Sequence, residues 1–335
     1  MNNSKAVVGI DVSKKKLDIA LLVDGKIKKK SLENSRTGHQ ALLAWLDKTK
    51  LPMEAVQVCM EATGVYYEAV ATTLHDAGFQ VSVVNPGCIK GFGQSENQRN
   101  KTDTADAALI ARYCAALSPA LWTPPPLEQR QLRAWSQRIQ ALKDMRQQEQ
   151  NRLESYTVSG MTEVAQHAQT LIDWLDGEIK RLDDEVDDHI DRHPGLKRDA
   201  DLITSIPGIG STTAARLLGQ LGDIRRFNSA KSLGAFLGVT PRQRSSGASK
   251  GRTIISRSGS TQLRAALYMP ALVASRHNPL LHQFAERLTK AGMAKKAVIS
   301  AVVHKLTHLI YGVIRTGKPF DPNYLSKSLA IQDGI

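Results

Sequence analysis

Alternating and continuous apolar positions dominate the first third of the chain. "AVVGIDV" (6–12), "LDIALLV" (17–23) and "KIKKKSL" (26–32) follow one another with short breaks, so residues 6–33 are expected to form three strands. The Asp24-Gly25 pair before the third run is a strong hairpin signal. Leu42, Leu43 and Leu46 then recur at helical spacing. "AVQVCME" (55–61) predicts a fourth strand, residues near 65–77 a helix, and "FQVSVVN" (79–85) a further strand. "NKTDTADAALIARY" (100–113) opens another helix. Hairpin strands followed by βαβ units give a mixed sheet with helices on its faces. In such sheets the reactive groups gather at strand ends and adjoining loops.

"SPALWTPPPLEQ" (118–129) breaks the pattern, because three consecutive prolines cannot continue a helix and act as a stiff spacer. A first domain is therefore expected over residues 1–120. Beyond it the apolar positions are Leu132, Trp135, Ile139, Leu142, Leu153 and Tyr156, then Ala168, Ile172, Leu175, Ile179, Leu182 and Val186. Their alternating spacing of three and four is a coiled-coil seam, with Ser159-Gly160 between the runs. Residues 121–193 thus predict two long antiparallel helices, ended by "HPG" (193–195). Residues 194–325 are mainly helical. "SIPGIGSTTAARLL" (205–218) reads as a helix, a tight turn and a helix whose free N–H groups could meet a phosphate. A long polar loop, "GVTPRQRSSGASKGRTIISRSGSTQ" (238–262), carries short strands at "RQR" and "TII".

With 335 residues, 41% of them hydrophobic, the chain can bury a core and is neither disordered nor membranous in composition. "MNNSKAVVGID" has no apolar signal core. The apolar run "AVISAVVHKLTHLIYGVI" carries His304, Lys305 and His308 and predicts a buried helix. Those histidines have zinc-helix spacing, but the glutamate of HExxH is missing, so both are expected as satisfied helix residues. Cys59, Cys88 and Cys114 lie far apart in sequence and form no CxxC pair, which points to a reduced, cytoplasmic compartment without structural zinc. The net charge of +13 is concentrated. No acid lies between Asp223 and Glu286, a stretch holding Arg242, Arg244, Lys250, Arg252, Arg257 and Arg264 among its cations. Such a run of one sign is the footprint of a phosphate-backbone partner.

Four acids carry candidate chemistry. Asp11 ends the first strand in "VVGIDVS" and Glu61 the fourth in "VCMEATG", and those strands can be neighbours. A charge inside an apolar strand is costly unless it is paired or metal-bound. Asp103 and Asp106 share one face at a helix start, about 5–6 Å apart at Cβ. Helix capping explains that last pair equally well. As a set, the four oxygen donors suit Mg2+ or Mn2+, and two ions about 3.5–4 Å apart could serve phosphoryl transfer.

Strand–Asp, strand–Glu and "KTDTADA", together with "SIPGIG", "FLGVTPRQRSSG" and "LRAALYMPAL", resemble the DEDD insertion-sequence transposases, relatives of a site-specific DNA invertase. The resemblance implies an α/β RNase H-like (RuvC-like) domain with a mixed sheet, a helical coiled coil, and a mainly α-helical C-terminal domain with a catalytic serine. It implies that Asp11, Glu61, Asp103 and Asp106 hold the metal and that Ser246, before Gly247, is the nucleophile. Lys101, with Arg242, Arg244, Lys250, Arg252, Arg257 and Arg264, would contact nucleic acid. Donor and target DNA, a structured guide RNA and a homo-oligomer, dimer or tetramer, are the implied partners, with no membrane. From the residues alone, a serine in an Arg/Gly loop is a phosphate contact, since nothing resembles a Ser–His pair. A resolvase-like nuclease using the same acids and water is the alternative. An actin-like ATPase needs glycine and threonine after the first aspartate, where Val12, Ser13 and Lys14 stand.

Overall fold

The computed structural model describes residues 6–62, 64–96, 103–243, 253–256 and 259–323. The chain divides into two compact units, Met1–Pro124 and Pro125–Ile335.

The first unit is built on β1 (Ala6–Val12), β2 (Lys16–Val23), β3 (Lys26–Glu33), α1 (Arg36–Asp47), β4 (Val56–Glu61), α2 (Glu68–Asp76), β5 (Gln80–Val84), α3 (Pro86–Ser95) and α4 (Asp103–Leu117). The sheet order is β3-β2-β1-β4-β5. β1, β2 and β3 are antiparallel, whereas β4 and β5 run parallel to β1. This order and these directions are those of an RNase H-like sheet. The β2–β3 turn is tight because Asp24 and Gly25 both adopt left-handed backbone, with φ of 48° and 75°. Both sheet faces are buried, so the central strands read as apolar runs rather than alternating ones. Val8, Ile10, Ile19 and Met60 pack with Leu42 of α1 and Leu74 of α2. Val7, Ala20 and Cys59 pack with the alanine-rich face of α4.

The helix α3 has no counterpart in the sequence expectation. Its "PGCIKGFGQS" holds three glycines, which masks helical periodicity, yet Asn85 caps it by accepting from the Gly87 N–H at 2.7 Å. Cys59 and Cys114, distant in sequence, meet between β4 and α4 and hydrogen-bond. That contact and burial push the Cys59 thiol far up, and both remain free thiols.

The second unit starts with α5 (Leu127–Val158) and α6 (Thr162–Arg192). They are antiparallel: Lys143 meets Asp183, Arg146 meets Asp176, and the Glu128 carbonyl meets His189. Leu132, Ile139 and Leu142 bury against Leu175, Ile179, Leu182 and Val186. Then follow α7 (Pro194–Thr204), α8 (Ser211–Leu221), α9 (Ala230–Leu237), β6 (Pro241–Gln243), β7 (Thr253–Ile255), α10 (Thr261–Ala266), α11 (Tyr268–His277), α12 (Pro279–Lys290) and α13 (Lys295–Thr316). By length and composition α13 is apolar enough to cross a membrane, but Val302, Leu306, Ile310 and Ile314 lie in the core of this unit, as a buried helix requires. β6 and β7 pair antiparallel at the root of the basic loop.

Candidate active site

The register of the central strands places the first two acids. Ile10 lies opposite Met60 in the parallel pair, so Asp11 and Glu61 are the next residues on adjacent strands. Both are half-buried and in phase with Gly9 and Cys59, on the face that α4 covers. The close fit of α4 depends on Gly9, where any Cβ would run into the Ala107 carbonyl and the Ala111 backbone. Asp106, also half-buried, immediately precedes Ala107 on that helix. The side chain of Asp103 and all of Lys101 lie outside the described residues, as does any cap before α4. Among the described residues no group of three or more His, Cys, Asp or Glu side chains is close enough to hold a metal ion. The fold thus brings Asp11 and Glu61 to neighbouring strand ends beneath the helix of Asp106, without closing a coordination shell from these three. Their donor chemistry, carboxylate oxygens at a polar rim, fits a hard divalent cation.

A fifth acid was missed in the sequence. Asp18 of β2 is the direct register partner of Asp11 and is only 3% exposed. Its carboxylate accepts from the Ser31 hydroxyl at 2.5 Å and pairs with the Lys16 ammonium at 3.0 Å. The signal was present in "LDIALLV", an acid inside an apolar strand, the same criterion that singled out Asp11 and Glu61.

Comparisons with known proteins bear on the whole chain. A DEDD-type IS110 transposase family matches residues 8–159, and the family described as "Transposase IS116/IS110/IS902 family" matches residues 200–286. The pilin gene-inverting protein of Moraxella bovis is 33% identical over 323 residues, covering 95% of this chain and 98% of that one. The chain belongs to the IS110-type transposase family. The transposase of insertion sequence element IS1328 from Yersinia enterocolitica is 26% identical across 64% of this chain and 70% of its own. T. thermophilus RuvC in complex with Holliday junction substrate aligns over 35% of this chain and 98% of its own, with 17% identity and a TM-score of 0.27. The family resemblance carried by the sequence motifs therefore holds, and this transposase is a DNA-recombining enzyme acting on DNA.

The basic stretch of this transposase is not uniform. Arg244, Ser246, Lys250, Arg252 and Arg257 lie outside the described residues, as does the side chain of Arg242, although the backbone of Arg242 lies in β6. Ser246 falls in the segment that joins β6 to β7. Arg264 is engaged in the fold itself: its guanidinium donates to the Leu237 and Gly259 carbonyls at 3.2 and 3.4 Å and to the Thr261 hydroxyl at 3.2 Å. Arg225 makes a two-pronged pair with Asp199 at 2.7 Å on each arm, which raises its pKa further. Gly208, at φ +107°, sits so close to Ala274 that a Cβ would clash, so packing alone requires that glycine of the "IPGIG" turn. His308 departs from the expectation of a satisfied helix histidine. The His304 and His308 rings lie 4.6 Å apart, and the His308 Nε2 is buried with no hydrogen-bond partner among the described residues. Burial pushes both below the usual histidine range, helped by Lys305 and, at His308, by His304 and Lys231.

Proposed function

We propose that this transposase exchanges DNA strands with Mg2+ or Mn2+ held by Asp11, Glu61, Asp103 and Asp106, and with Ser246 as the attacking group. The observation that carries this is the placement of Asp11 and Glu61 at adjacent strand ends, on the face covered by the helix that begins Asp103-x-x-Asp106. When bound, the metal supplies charge neutralisation at the phosphate. The acids orient it and keep negative charge where cations must collect. Ser246 Oγ attacks the phosphorus, gives up its proton, and a deoxyribose oxygen leaves and takes one up. The serine phosphodiester keeps the bond energy, so a second deoxyribose hydroxyl can attack it and release the serine without an external energy source. Arg242, Arg244, Lys250, Arg252 and Arg257 would steady the phosphate backbone, with Lys101 beside the acids of α4.

A structured non-coding RNA would pair with donor and target DNA, leaving the protein to read backbone and shape. The enzyme would act in the cytoplasm as a dimer or tetramer. Trp174, Val158 and Met161, exposed by 58%, 84% and 56% along and at the tip of the α5–α6 pair, support self-association. The test incubates purified protein, Mg2+, donor and target DNA, with and without RNA transcribed from the flanks of the element. Joined strands only with RNA are expected. Joining without RNA would remove the guide, and cleavage without joining would favour a nuclease that uses water.

A further inference from the structure

The turn between β1 and β2 reads Ser13-Lys14-Lys15-Lys16 and follows Asp11 by one residue. It is held unusually firmly for an exposed turn. Ser13 N–H and Oγ both donate to the Lys16 carbonyl at 2.9 Å, and the Lys16 N–H donates back to Ser13 Oγ at 3.1 Å. The Asn34 N–H donates to the Lys15 carbonyl at 2.9 Å, and its Nδ2 donates to the Ser13 and Tyr66 carbonyls at 2.9 and 3.0 Å. Asn34 is fixed in turn by buried His39, whose Nε2 lies 2.8 Å from Asn34 Oδ1. All three lysines are exposed, and among the described residues no ion pair engages Lys14 or Lys15. Lys16 is held from below by Asp18, an almost fully buried carboxylate that the register sets directly beside Asp11.

We propose that Lys14, Lys15 and Lys16 grip the phosphate backbone of a DNA strand at the Asp11 end of the sheet, with Asp18 positioning Lys16. A merely solvated lysine turn needs neither the Asn34 brace nor a buried partner. The lysines of β3 have a simpler explanation, since charge on an open edge strand blocks edge-to-edge pairing. The turn lies at the end of central β1, where that explanation does not reach. An ammonium fixed in advance loses little freedom when a phosphate arrives. DNA is the partner named because Asp11 is read as a ligand for the metal that acts on DNA, and the proposal rests on that reading.

The test measures how the affinity of the full chain for a labelled mixed-sequence DNA duplex falls with salt. The triple variant Lys14→Ala, Lys15→Ala, Lys16→Ala is expected to flatten the slope by roughly two to three units, since each lost phosphate contact removes about one. Lys16→Ala and Asp18→Asn should each remove about one unit, and Lys16→Arg should keep the wild-type slope. In strand exchange the lysine variants should need more DNA for half-maximal rate while approaching the wild-type rate at saturation. A wild-type slope in the triple variant overturns the proposal. A slope lost only on an RNA duplex overturns the DNA assignment, and a full slope in folded Asp18→Asn overturns the positioning role. Should Asp18→Asn fail to fold, the Lys16→Ala and Lys16→Arg pair decides. Asp11→Ala is read separately by turnover: if it keeps activity, the metal reading falls while the slope result still stands.

Discussion

Gly9 sets the spacing of the site. Its missing side chain lets the backbone of α4 lie on β1, so Asp106 can stand over the strand that carries Asp11. Gly9→Ala is expected to cost about 1–3 kcal/mol by overpacking and to lower activity along with the denaturant midpoint. A wild-type midpoint would show that α4 can move aside freely. Asp106→Ala separates chemistry from capping: loss of strand exchange with an unchanged midpoint supports the metal role, whereas retained activity with lost stability supports the cap. Histidine titration gives a third expectation. Burial keeps His39, His304 and His308 below their ordinary value of 6.5 in the folded protein. The unfolded chain therefore takes up protons first as pH falls through about 6.5, and stability present above that pH is lost below it. Urea midpoints at pH 7.5 and 5.5 should differ, with His304→Gln plus His308→Gln reducing the difference; a flat profile would contradict this account.

At the scale of elements, the central strands were legible as short apolar runs bounded by turn residues, and the long helices because each keeps a spacing of three and four. The three N-terminal strands, the Asp24-Gly25 turn and the short strand at "TII" lie where the sequence placed them, and the strand expected at "RQR" is observed over Pro241–Gln243. The helix α3 was hidden by its glycines, and the Cys59–Cys114 contact by the sequence distance that the sheet closes. The α5–α6 pair shows where a seam pattern stops being informative. Ile179 is buried within the pair, so Ile179→Asp tests folding of the hairpin and not association. Trp174 and Val164, exposed by 58% and 46%, are the better probes. Trp174→Asp with Val164→Asp should shift sedimentation toward a smaller species; a wild type that is monomeric both free and on nucleic acid would contradict self-association.

For the molecule as a whole, the sign and concentration of charge pointed to nucleic acid, but the individual contacts were less legible. Arg225 and Arg264 belong to the acid-free stretch, yet they are occupied by Asp199 and by backbone carbonyls, which a sequence cannot reveal. Asp18 could be seen as an acid inside an apolar strand, and Lys16 stands two residues before it on the same strand, but its partner Ser31 comes beside it only through the β2–β3 register. Arg244→Ala with Arg252→Ala should flatten the salt dependence of DNA binding by roughly two units, and an unchanged slope would remove both from the contact surface. The account centres on a serine joined to DNA under the control of the carboxylates. Its most direct measurement traps the reaction on a nicked DNA substrate, denatures it and looks for protein that migrates with labelled strand. Adduct is expected in the wild type and absent in Ser246→Ala and in Asp11→Ala. Adduct that persists in Ser246→Ala and disappears in Ser245→Ala would move the nucleophile by one residue, and adduct that persists in both serine variants would contradict the serine mechanism.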